Sequence, residues 1–235
     1  MPVVTISGQP GTGAHDIGRL TAQHLSIDYV DQEILVQAAR TLGVSMESVV
    51  ALDERTATLG ERLGGLLRRF LERSAAAGVG DPMLGPGSLD IVLGRSYAEA
   101  AASQEEPELS DERYIGTLIS LMRDLAAHDD VVIIGRGSQV ILKDWPGALH
   151  VLLVAPQDRR IEALVARDGI SKEAAAKRVQ DSAKGRAAFH HKFFKVDVDN
   201  PALYHLVLNT ARLTPDDAAQ LIAAAVPHVA AKQHA

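Results

Sequence analysis

The apolar run Val3-Val4-Thr5-Ile6-Ser7 stops at Gly8-Gln9-Pro10-Gly11-Thr12-Gly13 and passes directly into Ala14-His15-Asp16-Ile17, where Ile17, Leu20, Thr21, His24 and Leu25 mark one stripe of a helix. β-Branched residues in a short run make a strand, and the 3.6-residue spacing that follows makes an amphipathic helix. A strand leading through a glycine loop into a helix points to a parallel, helix-covered sheet. The glycines allow positive φ, and the free amides and dipole at the start of the helix favour negative charge, so the loop suits a phosphate group. Against the pattern GxxxxGK[S/T], Gly8 and Gly13 match, but Ala14 stands where the lysine belongs and His15 where the magnesium-binding hydroxyl belongs. A tight strand-to-helix turn without a ligand is the alternative. A dinucleotide site fits less well, because Gly8, Gly11 and Gly13 do not follow GxGxxG spacing.

Four further strand-sized apolar runs follow, at 27–30, 131–135, 149–154 and 204–208, separated by helical patterns at 161–167, 172–184 and 215–225. Strands alternating with helices extend the parallel-sheet reading to the rest of the chain. Thr214, followed by Pro215 and two aspartates, has the form of a helix start. Residues 55–128 read as a mostly helical insertion, broken by turn-rich stretches at 78–88 and 104–108.

The chain has 235 residues, 46% of them hydrophobic, enough for one globular domain with a sizeable core. It carries no cysteine, which removes disulfides, thiolate metal sites and thiol nucleophiles. A net charge of −6 argues against a large nucleic-acid surface, while local basic clusters can still bind small phosphates. No apolar run reaches the roughly 20 residues needed to span a bilayer, and the expectation is a cytoplasmic protein. Leu63, Leu66, Leu67, Phe70 and Leu71, flanked by Arg62, Arg68, Arg69 and Arg73, read as core packing with a solvated basic face. A homodimer or a membrane surface is the alternative for that stretch. His190-His191 gives no metal-ligand spacing, since adjacent helical residues point about 100° apart and no third ligand is recognisable.

The glycine loop, the segment Tyr29-Val30-Asp31-Gln32-Glu33-Ile34 and the later Ile133-Ile134-Gly135-Arg136-Gly137 together resemble the cytidylate-kinase-like family of P-loop nucleoside monophosphate kinases. The resemblance covers nearly the whole chain. Gly11-Thr12-Gly13-Ala14 is similar to the family's own loop, in which a non-lysine residue also follows the glycines. It implies a three-layer α/β P-loop NTPase fold with a five-stranded parallel sheet over residues 1–235, the insertion 55–128 on the acceptor side and a lid-like helical region at 157–195. It also implies phosphoryl transfer from ATP, with Mg2+, to CMP, dCMP or a related monophosphate. Small-molecule nucleotides are then the partners.

Under that resemblance Gly8, Gly11, Thr12, Gly13, Ala14 and His15 hold the donor phosphates, with Thr12 offering a hydroxyl. Asp31 matches the family's acidic position after strand two, where it would place the acceptor; capping a helix over 32–42 is its other reading. Arg136 matches the family's Gly-Arg motif and would grip the acceptor phosphate through two parallel hydrogen bonds; a surface salt bridge is the alternative. Arg186 matches the lid arginine that stabilises transferred charge, a role worth about 10³ to 10⁵ in rate where such an arginine acts. Arg178 is the next such residue. The family's acid three positions before the lid arginine is replaced by Ala183, with Asp181 displaced by two. The other basic residues of this region read as a solvated face with pairs such as Glu173 with Lys177. Asn209 and Thr210 either flank the base or simply end the last strand. His15, Arg19 and the lid arginines are the candidates to supply the charge missing at Ala14. The rival from another class is a nucleotide-binding sensor that keeps the fold without turnover, motivated by Ala14, His15 and Ala183.

Overall fold

The computed structural model describes residues 2–31 and 111–230. By internal contacts the chain divides into two units, Met1–Gln32 with Leu125–Ala235, and Glu33–Asp124. The expectations for 32–42, 59–71, 78–88 and 104–108 lie outside the described residues. Of the insertion read over 55–128, the described part is helix from Asp111 onward.

Five strands form one sheet: β1 (Val3–Gly8), β2 (Asp28–Val30), β3 (Val131–Ile134), β4 (Ala148–Val154) and β5 (Leu206–Asn209). All pairings are parallel, as the resemblance implies, and the order is β2-β3-β1-β4-β5. In register, Ile6 of β1 lies between Ile134 of β3 and Val151 of β4. The connections leaving β1 and β4 diverge to opposite edges of the sheet, which opens a crevice at the carboxyl ends of the strands.

Both faces of the central strands are buried, which is why they read as mostly apolar runs instead of alternating apolar and exposed polar positions. On one face Val4, Ile6, Val132, Ile134, Val151 and Leu153 pack with Ile17 and Ala22 of α1 (Ala14–Leu25) and with Ala218, Ile222 and Val226 of the last helix. On the other, Val3, Thr5, Val131, Ile133, His150 and Leu152 are equally buried. Helix α2 (Asp111–His128) buries Leu118, Leu121, Met122 and Leu125, one stripe at i, i+3, i+4 and i+7, and leads into β3. After β3 a single turn, α3 (Ser138–Ile141), precedes β4.

Helices α4 (Gln157–Asp168) and α5 (Lys172–Phe194) occupy the region expected to be lid-like, packed through Ile161 and Leu164 against Ala175 and Val179. The side chain of Ser171 caps α5, accepting from the amide of Ala174 at 3.2 Å. The helix runs past the expected end at Lys184, through Gly185 at a helix-propensity cost of about 1 kcal/mol, and Phe189 makes edge-on ring contacts with His190 and Phe194 beyond it. Helix α6 (Pro215–Ala230) starts as expected: Asp217 N donates to Thr214 Oγ1 at 3.1 Å and Thr214 N to Asp217 Oδ2 at 3.3 Å, a reciprocal cap. Among the described residues no helix is long and apolar enough to cross a membrane.

Candidate functional site

The loop between β1 and α1 is folded by its own hydrogen bonds. Thr12 donates both its amide, at 3.1 Å, and its hydroxyl, at 2.7 Å, to the carbonyl of Gln9, closing a turn. The hydroxyl expected to face a ligand therefore shapes the loop instead, and Thr12 is buried. Gly11 (φ 84°) and Gly13 (φ 75°) adopt the left-handed conformation. At Gly11 a side chain is excluded twice over, because a Cβ would lie 2.4 Å from the carbonyl oxygen of Arg160 in α4. Gly13 occupies the N-cap of α1 and no side chain caps that helix, so its first-turn amides are left for an anion.

Around this loop lies a cleft of about 510 Å³ at the carboxyl ends of β1 and β3, lined by the loop, His15, Arg19, Arg136, Arg178 and Arg186. Loop and arginines, distant in sequence, thus share one cavity. Gly135, Arg136 and Gly137 all have positive φ (74°, 53° and 76°), a turn that carries the arginine off the end of β3. Its guanidinium lies 5.5 Å from the ring centre of Phe189 on α5, and its Nε is buried with no hydrogen-bond partner. The salt bridge considered as its alternative role is not made among the described residues. A buried donor left unpaired costs about 1–3 kcal/mol, which a bound oxyanion would offset.

Arg186, on α5, is held on several sides. Its Nη1 donates to Asp199 Oδ1 at 2.5 Å and its Nη2 to Ser7 Oγ at 3.0 Å, with a longer contact to the carbonyl of Val198 at 3.4 Å. Gln9 of the loop donates to the same carboxylate at 3.3 and 3.5 Å. The carboxylate partner of this arginine is thus Asp199, beyond the end of α5, and not Asp181, which is exposed. Arg178 lies in the cleft but pairs with Asp168 at 2.8 Å, as does Arg167 at 2.6 Å. The hydrogen bond from Arg167 holds the Asp168 carboxyl below the usual carboxylate range. Glu173 does not pair with Lys177; its carboxylate is held low by its own backbone amide and by Ser171.

His15 bonds through Nδ1 to the hydroxyl of Tyr29 at 3.1 Å, which fixes the ring at the cleft wall. Arg19 lies 6.0 Å from the ring centre of the same tyrosine. Asp31 follows the end of β2 and is not among the residues lining the cleft. Asn209 Oδ1 accepts from the amide of Ala211 at 3.1 Å, and the Thr210 amide donates to the Val154 carbonyl at 2.9 Å, so both close the end of β5. His190 donates from Nδ1 to the carbonyl of Arg186 at 2.8 Å, and burial lowers its pKa.

The geometry fits the phosphate chain of a nucleoside triphosphate: a left-handed glycine loop and uncapped helix amides share one cavity with Arg136 and Arg186. For Mg2+ the described residues present no cluster of three or more ligating side chains. Asp16 is the carboxylate lining the cleft, and phosphates and water would supply the remaining ligands.

A family model described as "cytidylate kinase-like family" matches residues 3–212. The chain belongs to that family. Among curated members, a cytidylate kinase from Methanopyrus kandleri is 24% identical over 225 residues, covering 95% of this chain and 92% of that one. A cytidylate kinase from Natronomonas pharaonis is 31% identical over 109 residues, covering 44% of this chain and 54% of that one, so there the match spans about half of the relative's length. Among solved structures, an uncharacterized protein from Eubacterium ventriosum superposes with a TM-score of 0.63 at 14% identity, covering 97% of this chain and 99% of that one. A gluconokinase from Sinorhizobium meliloti does so with a TM-score of 0.51 at 11% identity, covering 99% and 95%. At such identities the two structures attest the fold alone.

Around this cleft, sequence reasoning missed Asp199, Phe189 and the close approach of Arg160 to Gly11. Asp197-Val198-Asp199-Asn200-Pro201 carried a turn signal that marked the place where α5 ends. Nothing local linked Asp199 to a loop 190 residues earlier.

Proposed function

We propose that this chain transfers the γ-phosphoryl group of Mg-ATP to a nucleoside monophosphate, with CMP or dCMP as the preferred acceptor. The observation that carries this reading is the meeting of Arg136 and Arg186 with the glycine loop in one cleft. The loop amides and the N-terminus of α1 hold the donor phosphates, and Arg136 grips the acceptor phosphate. An oxygen of that phosphate attacks the γ-phosphorus, the bond from the γ-phosphorus to the β,γ-bridging oxygen breaks, and ADP leaves with the electron pair. The attacking oxygen is already ionised near neutral pH, so little is asked of the protein beyond positioning and charge. Helices α4 and α5 act as the lid, and Asp31 contributes to placing the acceptor from the end of β2. The preference for a cytosine base rests on family membership.

The test is ADP and diphosphate formation with Mg-ATP and a panel of nucleoside monophosphates, beside Arg136→Ala. Turnover with CMP or dCMP that the substitution abolishes supports the kinase. Saturable ATP binding with no turnover on any acceptor supports the second reading, a nucleotide sensor, which Ala14 and His15 in place of the usual lysine and hydroxyl favour.

A further inference from the structure

The loop lacks a cation at Ala14, yet a guanidinium lies at its other end. Arg186 reaches Ser7, the residue that opens the loop, at 3.0 Å, and its side chain is only 11% exposed. It is not poised to arrive with a moving segment: Asp199 holds Nη1 at 2.5 Å, and Gln9 holds Asp199 in turn. Asp199 is itself fixed. Its amide donates to Asp197 Oδ1 at 3.0 Å, and the preceding carbonyl, of Val198, accepts from the half-buried hydroxyl of Tyr204 at 2.7 Å. The next residue, Asn200, caps the turn Pro201–Leu203. Meanwhile the buried Nε of Arg186 has no acceptor.

We infer that Arg186 supplies from α5 the fixed positive charge that a loop lysine would supply, and that Asp199 is the positioning residue that holds it there. The inference rests on the reading of the cleft as a donor-phosphate site and adds which group neutralises those phosphates. Asp199 is not among the residues lining the cleft, so it does not itself meet the nucleotide. It acts by fixing the guanidinium plane at the wall of the cleft that Arg186 lines.

The experiment is calorimetric titration of Mg-ATP and of adenosine into the wild type, Arg186→Ala, Asp199→Asn, Asp199→Ala and the double variant Arg186→Ala/Asp199→Ala, with melting temperatures measured alongside. A charge-assisted hydrogen bond is worth about tenfold or more in affinity, so Arg186→Ala is expected to weaken Mg-ATP at least about tenfold. Asp199→Asn, which still accepts a hydrogen bond, is expected to weaken it less, and Asp199→Ala to fall between the two. Adenosine affinity should not move, which separates positioning of charge from general damage to the fold. The double variant should bind Mg-ATP no worse than Arg186→Ala, because Asp199 acts through Arg186. Equal losses for adenosine and ATP, additive losses in the double variant, or a wild type that does not bind Mg-ATP would each overturn the inference. A wild type that binds ATP without phosphorylating any monophosphate would defeat the proposed function and leave this test intact, since its readout is affinity.

Discussion

Acidification should destabilise this protein through one buried side chain on the sheet. His150 sits in β4 directly beside Thr5 of β1, is 3% exposed, and bonds through Nδ1 to the threonine hydroxyl at 2.8 Å. Its ring stacks on His205, with centres 5.0 Å apart. Burial, and secondly the neighbouring His205, lower its pKa from 6.5 to about 4; the carbonyls of Leu142 and Lys143 pull the other way without meeting hydrogen-bond geometry at Nε2. Because the folded-state pKa lies below the unfolded one, the unfolded chain takes up the proton first as pH falls. The stability contribution is therefore complete above about pH 6.5 and drains away toward pH 4. With those two values the linkage relation gives a loss of about 2 kcal/mol between pH 7 and pH 5, and about 3 kcal/mol once both states are protonated. For a chain of this size that corresponds to roughly 4–8 °C in Tm by pH 5. His150→Asn keeps a polar atom near the Nδ1 position and removes the titration. It should melt lower than the wild type at pH 7, by about 1–2 kcal/mol for the lost packing, but show a flatter pH dependence. The measurement is thermal or denaturant unfolding of both proteins at pH 5, 6, 7 and 8. Parallel curves, or an NMR titration of His150 near 6.5, would refute the reasoning.

Three other outcomes follow from single contacts. Arg136→Ala should lower kcat/KM for the monophosphate by about 10² to 10⁴, the loss of two charge-assisted hydrogen bonds, with little change in Mg-ATP affinity by calorimetry. Gly11→Ala combines a left-handed backbone (φ 84°) with a Cβ 2.4 Å from the Arg160 carbonyl, so it should lose about 2 kcal/mol or more of stability, read by denaturant midpoint, and weaken Mg-ATP binding as the loop shifts. Thr214→Ala removes the cap of α6 and should cost about 1 kcal/mol in the same assay, leaving nucleotide affinity untouched.

What the sequence made legible follows the range of the forces involved. The strands were readable because β1, β3 and β4 are buried on both faces and so carry mostly apolar runs, with Thr5, Ser7 and His150 as the buried polar exceptions. The loop and the Thr214 cap were readable because their hydrogen bonds close within a few residues. The helical pattern read over 172–184 falls short of the end of α5 at Phe194, because contacts among Phe189, His190 and Phe194 lie beyond it. The pairing of Arg186 was misjudged for another reason. Searching one helical turn back finds Ala183 and the exposed Asp181, while the carboxylate that matters arrives after α5 has ended and the chain has turned toward β5.

That turn bears on how such a loop can do without its lysine. A lysine following the glycines is a flexible point charge tethered within the loop, and replacing it by Ala14 leaves the loop amides and helix dipole as the local attraction for phosphate. A guanidinium from another helix can restore the charge only if its position is fixed as well as a residue of the loop would be, since charge stabilisation in transfer depends on donors that need no rearrangement. Contacts to Ser7 and, through Asp199, to Gln9 provide that fixation from both ends of the segment Gly8 belongs to. The arrangement carries a consequence for motion: if α4 and α5 close over the donor, Arg186 must stay behind on Ser7 while the rest of the region moves. The pivot is then expected near Gly185, the glycine of α5, where a side chain would meet no other atom. Gly185→Ala should accordingly raise Tm slightly, by helix propensity of up to about 1 kcal/mol, while lowering kcat more than it changes Mg-ATP affinity. Unchanged kcat in that variant would mean that the region acts as a rigid wall of the cleft.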